Sequence, residues 1–161
     1  MRHSISALVA ALSMALSAGL AFAGTAEVKF IDPAKYSDGG SRLGEAESVR
    51  NTLVAHLQSL AAKLPVEQSV SIDILDIDLA GSDRFTRQGY EVRVLRGRAD
   101  WPSIRLRYSL RQGDKLLASG EEMVSDMVYL DTQFGLSTYA SLPYERRMLT
   151  RWFNQRMAPA H

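Results

Sequence analysis

The sequence predicts an α+β domain, a mostly antiparallel sheet of about five strands in chain order β-α-β-β-β-β-α, with two helices packed on one face. Three observations lead there. Short segments in the middle of the chain alternate apolar and polar side chains, the period of a half-buried strand, whereas two longer segments repeat apolar residues at three and four, the period of a helix. The helical segments stand towards the two ends of the strand series, so both can cover the same sheet face. The third observation is composition: 161 residues with 46% hydrophobic and 23% charged side chains match one folded domain and exclude disorder, collagen and a polytopic membrane protein.

The domain is expected to start at residue 24. Met1-Arg2-His3 is a short basic start, the run from Ile5 to Leu20 is small and aliphatic, and Ala21-Phe22-Ala23 is followed by Gly24. That order is the order of a secretory signal peptide with an A-x-A cleavage site, which places cleavage after Ala23 and the protein in the periplasm. The rival reading is an uncleaved anchor. Against it, the run is diluted by Ser6, Ser13, Ser17 and Gly19 and lacks a cationic stop-transfer flank. After cleavage no transmembrane segment is expected, and residues 24–161 form the single domain.

Each element has its own signal. Glu27-Val28-Lys29-Phe30-Ile31-Asp32 alternates and stops at Asp32-Pro33, giving the first strand. After a loop over Tyr36 to Ser41, the residues Ala46, Val49, Leu53, Leu57, Leu60, Ala61 and Leu64 make one stripe of a helix over 45–64. Glu45 and Glu47 suit its N-terminus, and Pro65 stops it. In the segment Val70 to Leu79 the inward parity changes between Ile74 and Leu75, so a bulge there is needed to keep one apolar face. Such a bulge would put Asp73, Asp76 and Asp78 together on the other face.

Gly81 to Gly89 is polar and reads as a loop. Tyr90 to Leu95 alternates and supplies a third strand. Ile104 to Arg111 is the clearest strand, with apolar even positions and Arg or Ser at odd ones. Gln112-Gly113-Asp114 reverses the chain into a strand running from Lys115 to about Val124. Ser125 to Ala140 is apolar without a period and reads as a packed loop with a short helix. Ser141 is positioned to cap a last helix that has Pro143 and Glu145 in its first turn and an apolar stripe of Met148, Leu149, Trp152 and Phe153.

Charge is the most informative functional pattern. The whole chain has 19 basic and 18 acidic residues; yet Gly24 to Asp83 carries 5 basic and 10 acidic side chains, and Arg84 to His161 carries 13 and 8. Near neutrality argues against nucleic acid as a partner. Two readings of the arginines stand. Asp73, Asp76 and Asp78 can pair across the sheet with Arg93, Arg105 and Arg107, each pair contributing on the order of a few tenths of a kcal/mol. Alternatively the arginines line a site for an anionic envelope component, since their planar forks fit phosphate and carboxylate bidentately.

No cysteine is present, which excludes disulfides, thiolate metal sites and a Cys nucleophile. Asp73, Asp76 and Asp78, with Asp83 nearby, invite a calcium reading, but their spacing does not match the EF-hand loop. His56 is the one internal histidine of the domain, so a zinc site or a Ser-His arrangement has little to draw on; an ordinary half-buried side chain is the simpler reading. A glycosidase-type carboxylate pair has no sequence signature, and Asp100 and Asp126, at turn borders, are its candidates. The last helix, with Arg146, Arg147, Arg151 and Arg156 around Trp152 and Phe153, admits a membrane-surface reading beside the ordinary one of packing on the sheet. Trp101, before Pro102, is either a core plug or a binding anchor.

Five blocks also share a pattern with a known family. They are Phe30-Ile31-Asp32-Pro33 with Tyr36 and Asp38; Asp76-Ile77-Asp78-Leu79-Ala80-Gly81; Arg96-Gly97-Arg98-Ala99-Asp100-Trp101-Pro102; Ser119-Gly120-Glu121-Glu122 with Ser125-Asp126-Met127; and Tyr144-Glu145-Arg146-Arg147-Met148-Leu149 with Trp152-Phe153. Together they resemble the bacterial domain of unknown function 3016 family along nearly the whole domain. The resemblance implies a small exported protein of Gram-negative bacteria and carries over no activity, cofactor or catalytic residue. It directs attention to Arg96, Arg98, Asp100, Trp101, Ser125 and Asp126, polar groups beside turns, where sites often lie.

The expectation from sequence is therefore a non-enzymatic periplasmic protein, without cofactor, that binds an envelope protein or an anionic envelope component through Arg93, Arg96, Arg98, Arg105, Arg107 and Trp101. A hydrolase of an envelope polymer acting through Asp100 or Asp126 is the main alternative, and calcium binding at the aspartate face is the second.

Overall fold

Thr25–Phe30 forms strand β1, its Ala26, Val28 and Phe30 packed inward. In the computed structural model, which describes residues 24–40, 44–131 and 141–157, this strand ends where Asp32 takes a left-handed φ of 49° ahead of a single 3-10 turn, Pro33–Lys35. The expected leader (residues 1–23) lies outside the described residues, as does 132–140 of the expected packed loop.

Helix α1, Glu45–Ala61, buries Val49, Leu53, Leu57, Leu60 and Ala61, the stripe expected from their spacing. It ends three residues before Leu64, which stays buried beyond the helix. Strand β2, Gln68–Asp78, then runs parallel to β1. A helix between two neighbouring strands returns the chain to the same end of the sheet, so this pair is parallel while the rest of the sheet is antiparallel.

The bulge lies where the parity change required it. Pairing of β2 with strand β5, Ser103–Gln112, is regular up to Ile74 opposite Leu106, then skips Leu75 and sets Asp76 opposite Arg105. Val70, Ile72, Ile74 and Ile77 consequently all lie in the core, at 2% exposure or less, and Asp73, Asp76 and Asp78 fall on the other face. Gly113 and Asp114 turn β5 into strand β6, Lys115–Ser125.

The main sheet has four strands in the order β1-β2-β5-β6, and a separate two-stranded ribbon joins strand β3, Ser82–Phe85, to strand β4, Glu91–Val94. The segment read as a loop therefore contains β3, and the strand expected over Tyr90 to Leu95 pairs with it instead of joining the main sheet. Ser82, Asp83 and Arg84 carry no apolar alternation because this strand packs no apolar side chain into the core; backbone pairing and the cross-strand Asp83–Arg93 ion pair make the strand.

Helix α2, Pro143–Met157, closes the fold. Leu142, with φ 53°, precedes it and accepts the Arg146 N–H at 3.0 Å, so Leu142 holds the position expected for Ser141. Met148, Leu149, Trp152 and Phe153 are buried, which resolves the two readings of this helix in favour of packing on the sheet. Trp152 meets Tyr108 of β5 edge to face at 5.5 Å. Across from Tyr108 stands Gly120 of β6, where an added Cβ would lie 3.1 Å from the tyrosine ring. Both helices occupy one side, with α1 against β1 and α2 against β6.

Candidate functional site

The sheet face opposite the helices is open, and strand register arranges its side chains in rows. Lys29, Asp73, Arg107 and Glu121 stand side by side across β1, β2, β5 and β6, alternating in sign. Within the row Arg107 bonds Glu121 at 3.1 Å and approaches Asp73 at 3.9 Å. Lys29 pairs along its own strand with Glu27 at 3.0 Å. One neighbouring row is Glu27, Ser71, Ser109 and Ser119, and the next begins Thr25, Ser69, Arg111. Thr25, Glu27, Ser69, Ser71, Ser109 and Arg111 of these rows line a recess of about 220 Å³.

On the other side of the charged row, Arg105 stands between Asp76 and Met123. The Asp76 carboxylate is already used: it accepts the Ser37 backbone N–H and the Ser37 hydroxyl, each at 2.8 Å. Arg105 is exposed and has no hydrogen bond or ion pair to a described residue. Met123 beside it is 57% exposed. Leu116 and Leu117 of β6, at the far end of this edge strand, are also open to solvent.

The other arginines expected on this face are elsewhere. Arg93 belongs to the ribbon, where one Nη donates to Asp38 at 2.8 Å and the other to Asp83 at 3.4 Å. It also reaches the carbonyls of Ala80 and Gly81. Arg93 thus fastens the ribbon to the loop after β1 and to the end of β2, with its pKa raised by those carboxylates against the opposing effect of burial. Arg96 and Arg98 flank the turn after β4, with Arg96 ion-paired to Asp100 and Arg98 3.9 Å from Asp131. Trp101 is half-buried and outside the core cluster.

Both carboxylates named for hydrolysis are occupied within the chain. Asp100 accepts the Arg96 N–H on both oxygens at 2.9 Å and the Tyr129 hydroxyl at 2.8 Å. Burial, seconded by that bond to a carboxylate, pushes the Tyr129 pKa up to about 12. Asp126, almost wholly buried, holds Arg147 at 3.1 Å and Arg151 at 3.4 Å and caps its own turn through the Val128 N–H. These contacts join the segment after β6 to α2 and to the turn after β4, and leave the Asp100 and Asp126 side chains only 7% and 1% exposed.

The aspartate face has Asp73, Asp76 and Asp78 on one side of β2, but among the described residues no three acids, histidines or cysteines converge as a metal site. Asp78 has its pKa raised by burial first and by Asp38 and Asp76 second. His56 bridges the helices: its Nε2 lies 2.8 Å from the Arg146 carbonyl and 2.9 Å from the Thr150 hydroxyl. Glu145, wholly buried, accepts the Ala80 N–H at 2.8 Å, and burial raises its pKa. Sequence reasoning placed Glu145 in a first helical turn without its burial, because nothing in the sequence says which backbone N–H the helix end meets.

Comparison with curated proteins finds no match. The sequence profile of the family described as "Protein of unknown function (DUF3016)" matches residues 24–155, which take in all six strands and nearly all of the last helix. The chain belongs to the DUF3016 family.

Proposed function

We propose that this is an exported, non-enzymatic binding protein of the cell envelope, and that the open sheet face around Arg105 and Met123 receives a partner protein. One observation carries the reading: on a sheet covered by helices on one side only, Arg105 and Met123 form an exposed cross-strand pair whose guanidinium has no partner among the described residues. Arginine and methionine are enriched at the centres of protein interfaces, where a planar donor fork and a flexible apolar side chain both adapt to an opposing surface. The edge strand β6 borders the same face, and its exposed leucines extend it.

Export is supported by the leader pattern before Gly24 and by local packing. Gly24 is buried, its N–H donates to the Leu64 carbonyl at 3.1 Å, and an added Cβ would collide with the Ala61 carbonyl at 2.7 Å. Cleavage after Ala23 would place the new amine beside the C-terminal end of α1, where positive charge is favoured.

The test is site-specific photo-cross-linking in cells. A photoreactive residue at position 123 should trap one discrete envelope protein, and Arg105→Glu should abolish the adduct without lowering the melting temperature. A photoreactive residue at Glu47, on the helical side, should trap nothing comparable. Equal capture from both positions, or capture unaffected by Arg105→Glu, would refute the assignment of the face.

A further inference from the structure

The ribbon β3–β4 has an unusual surface that the reading above does not use. Phe85 is 77% exposed and Tyr90 71%, and Val92, Val94 and Leu95 are exposed behind them. The ribbon reverses over Thr86 to Tyr90, closed by the Thr86 N–H on the Tyr90 carbonyl at 2.7 Å and by the Tyr90 N–H on the Thr86 hydroxyl at 3.0 Å. Register puts Tyr90, Val92 and Val94 on one face together with Arg84, which is opposite Val92, and puts Phe85 on the other face opposite Glu91. Its tip is therefore apolar on both sides.

Two exposed arginines, Arg84 and Arg87, flank that tip, and neither has a hydrogen bond or ion pair to a described residue. At the base the arrangement reverses. Arg93 and Asp83 neutralise each other there, and Arg93 is fixed by Asp38 and two carbonyls. The ribbon is thus held firmly at its base and presents an aromatic tip with positive charge at its free end.

We infer that this ribbon docks on an anionic phospholipid surface, with Phe85 and Tyr90 entering the headgroup region and Arg84 and Arg87 pairing with lipid phosphates. Tyrosine suits that depth because its ring is apolar and its hydroxyl stays hydrated. Arginine forks fit phosphodiesters bidentately. A second copy of this chain fits the tip poorly, since tip-to-tip contact would bring four arginines together, and Glu91, the acid opposite Phe85, already has another interaction. The arrangement resembles in its physics an interfacial amphipathic segment, in which apolar burial and attraction to anionic lipid add.

The test uses residues 24–161, which contain the whole described fold, in co-sedimentation with vesicles. Binding is expected to vesicles containing phosphatidylglycerol, to weaken as salt rises, and to be absent with phosphatidylcholine alone. Arg84→Gln with Arg87→Gln should weaken binding about 25-fold, about fivefold for each arginine. Phe85→Ser with Tyr90→Ser should abolish it while the melting temperature holds, because all four side chains are exposed. Tyr90→Trp should give a blue-shifted emission on adding anionic vesicles. Arg105→Glu should bind vesicles as the parent does, which separates this site from the sheet face. No sedimentation with anionic vesicles, binding undiminished in the ribbon variants, or full displacement by excess inorganic phosphate would each overturn the inference; the last would show that a phosphate alone, without the bilayer, fills the site.

Discussion

Arg93 of β4 lies 2.8 Å from Asp38 of the loop after β1, an ion pair that joins two segments 55 residues apart in the chain. A two-stranded ribbon is barely stable by itself in water, and this one has only slight contact with the main sheet and helices. Arg93, only 20% exposed in its side chain, is among the contacts that hold the ribbon docked. Gly81 lets the base of the ribbon close: its φ is +85°, and a Cβ there would lie 2.7 Å from the Val94 carbonyl.

Arg93→Gln is expected to cost about 1–3 kcal/mol, since it leaves partly buried acceptors short of a charged donor. Hydrogen exchange should rise at Val92 and Val94 and stay unchanged at Ile72 and Leu106, the mark of local release as opposed to global unfolding. Protection unchanged in the ribbon would show that Arg93 does not hold it.

Asp126→Ala should cost about 1–3 kcal/mol in urea unfolding, because it takes the buried carboxylate from Arg147 and Arg151 and the side-chain acceptor from the Val128 N–H. Asp100→Asn should cost less, as an amide oxygen still accepts the Tyr129 hydroxyl and one Arg96 N–H. A near-zero effect of Asp126→Ala would mean the clamp is not structural.

His56 is expected to contribute to the loss of stability in acid. Burial foremost, with Arg146 and Lys63 adding, holds its pKa below the ordinary 6.5, against the raising effect of its bond to the Arg146 carbonyl. The unfolded chain therefore binds the proton first, and stability should fall as pH drops from about 6.5 through the lower folded value. In His56→Gln that part of the pH dependence should vanish, and about 1–2 kcal/mol should be lost at neutral pH with the helix-bridging hydrogen bonds. An unaltered acid limb would contradict this role.

Glu145 acts in the opposite sense. Burial raises its folded pKa above 4.5, so the unfolded state loses its proton first and stability falls as pH rises from about 4.5 through the folded value. Glu145→Gln keeps an acceptor for the Ala80 N–H, removes the buried ionisable group and should raise the urea midpoint at pH 7. Glu145→Leu should lower stability by about 1–3 kcal/mol by orphaning that N–H. A lower midpoint for Glu145→Gln than for the parent would show that the charged form is the one the fold stabilises.

If the leader is cleaved where its pattern ends, intact mass of the protein from a periplasmic fraction should begin at Gly24. A protein retaining Ala23 in that fraction, or found in the membrane with residues 1–23 attached, would contradict the assignment.

The apolar pattern by itself determined much of the fold. Whereas β6 was marked by the Gln112-Gly113-Asp114 reversal before it, period located β1, α1, β2, β5 and α2, because each buries one face and so must repeat with its own geometry. It even fixed the bulge at Leu75, since a one-residue change of parity in a strand with one buried face admits no other continuous solution. The ribbon was half legible: β4 alternates, but β3 sends no apolar side chain into the core and so leaves no apolar period. Charge was legible as a total for each half of the chain and not as contacts. Tertiary structure assigned Arg93 to the ribbon, gave Asp76 to Ser37, and left Arg105 without a described partner. Those outcomes depend on which segments meet across dozens of residues, and a side-chain pair of that kind leaves no mark on the local sequence around either member.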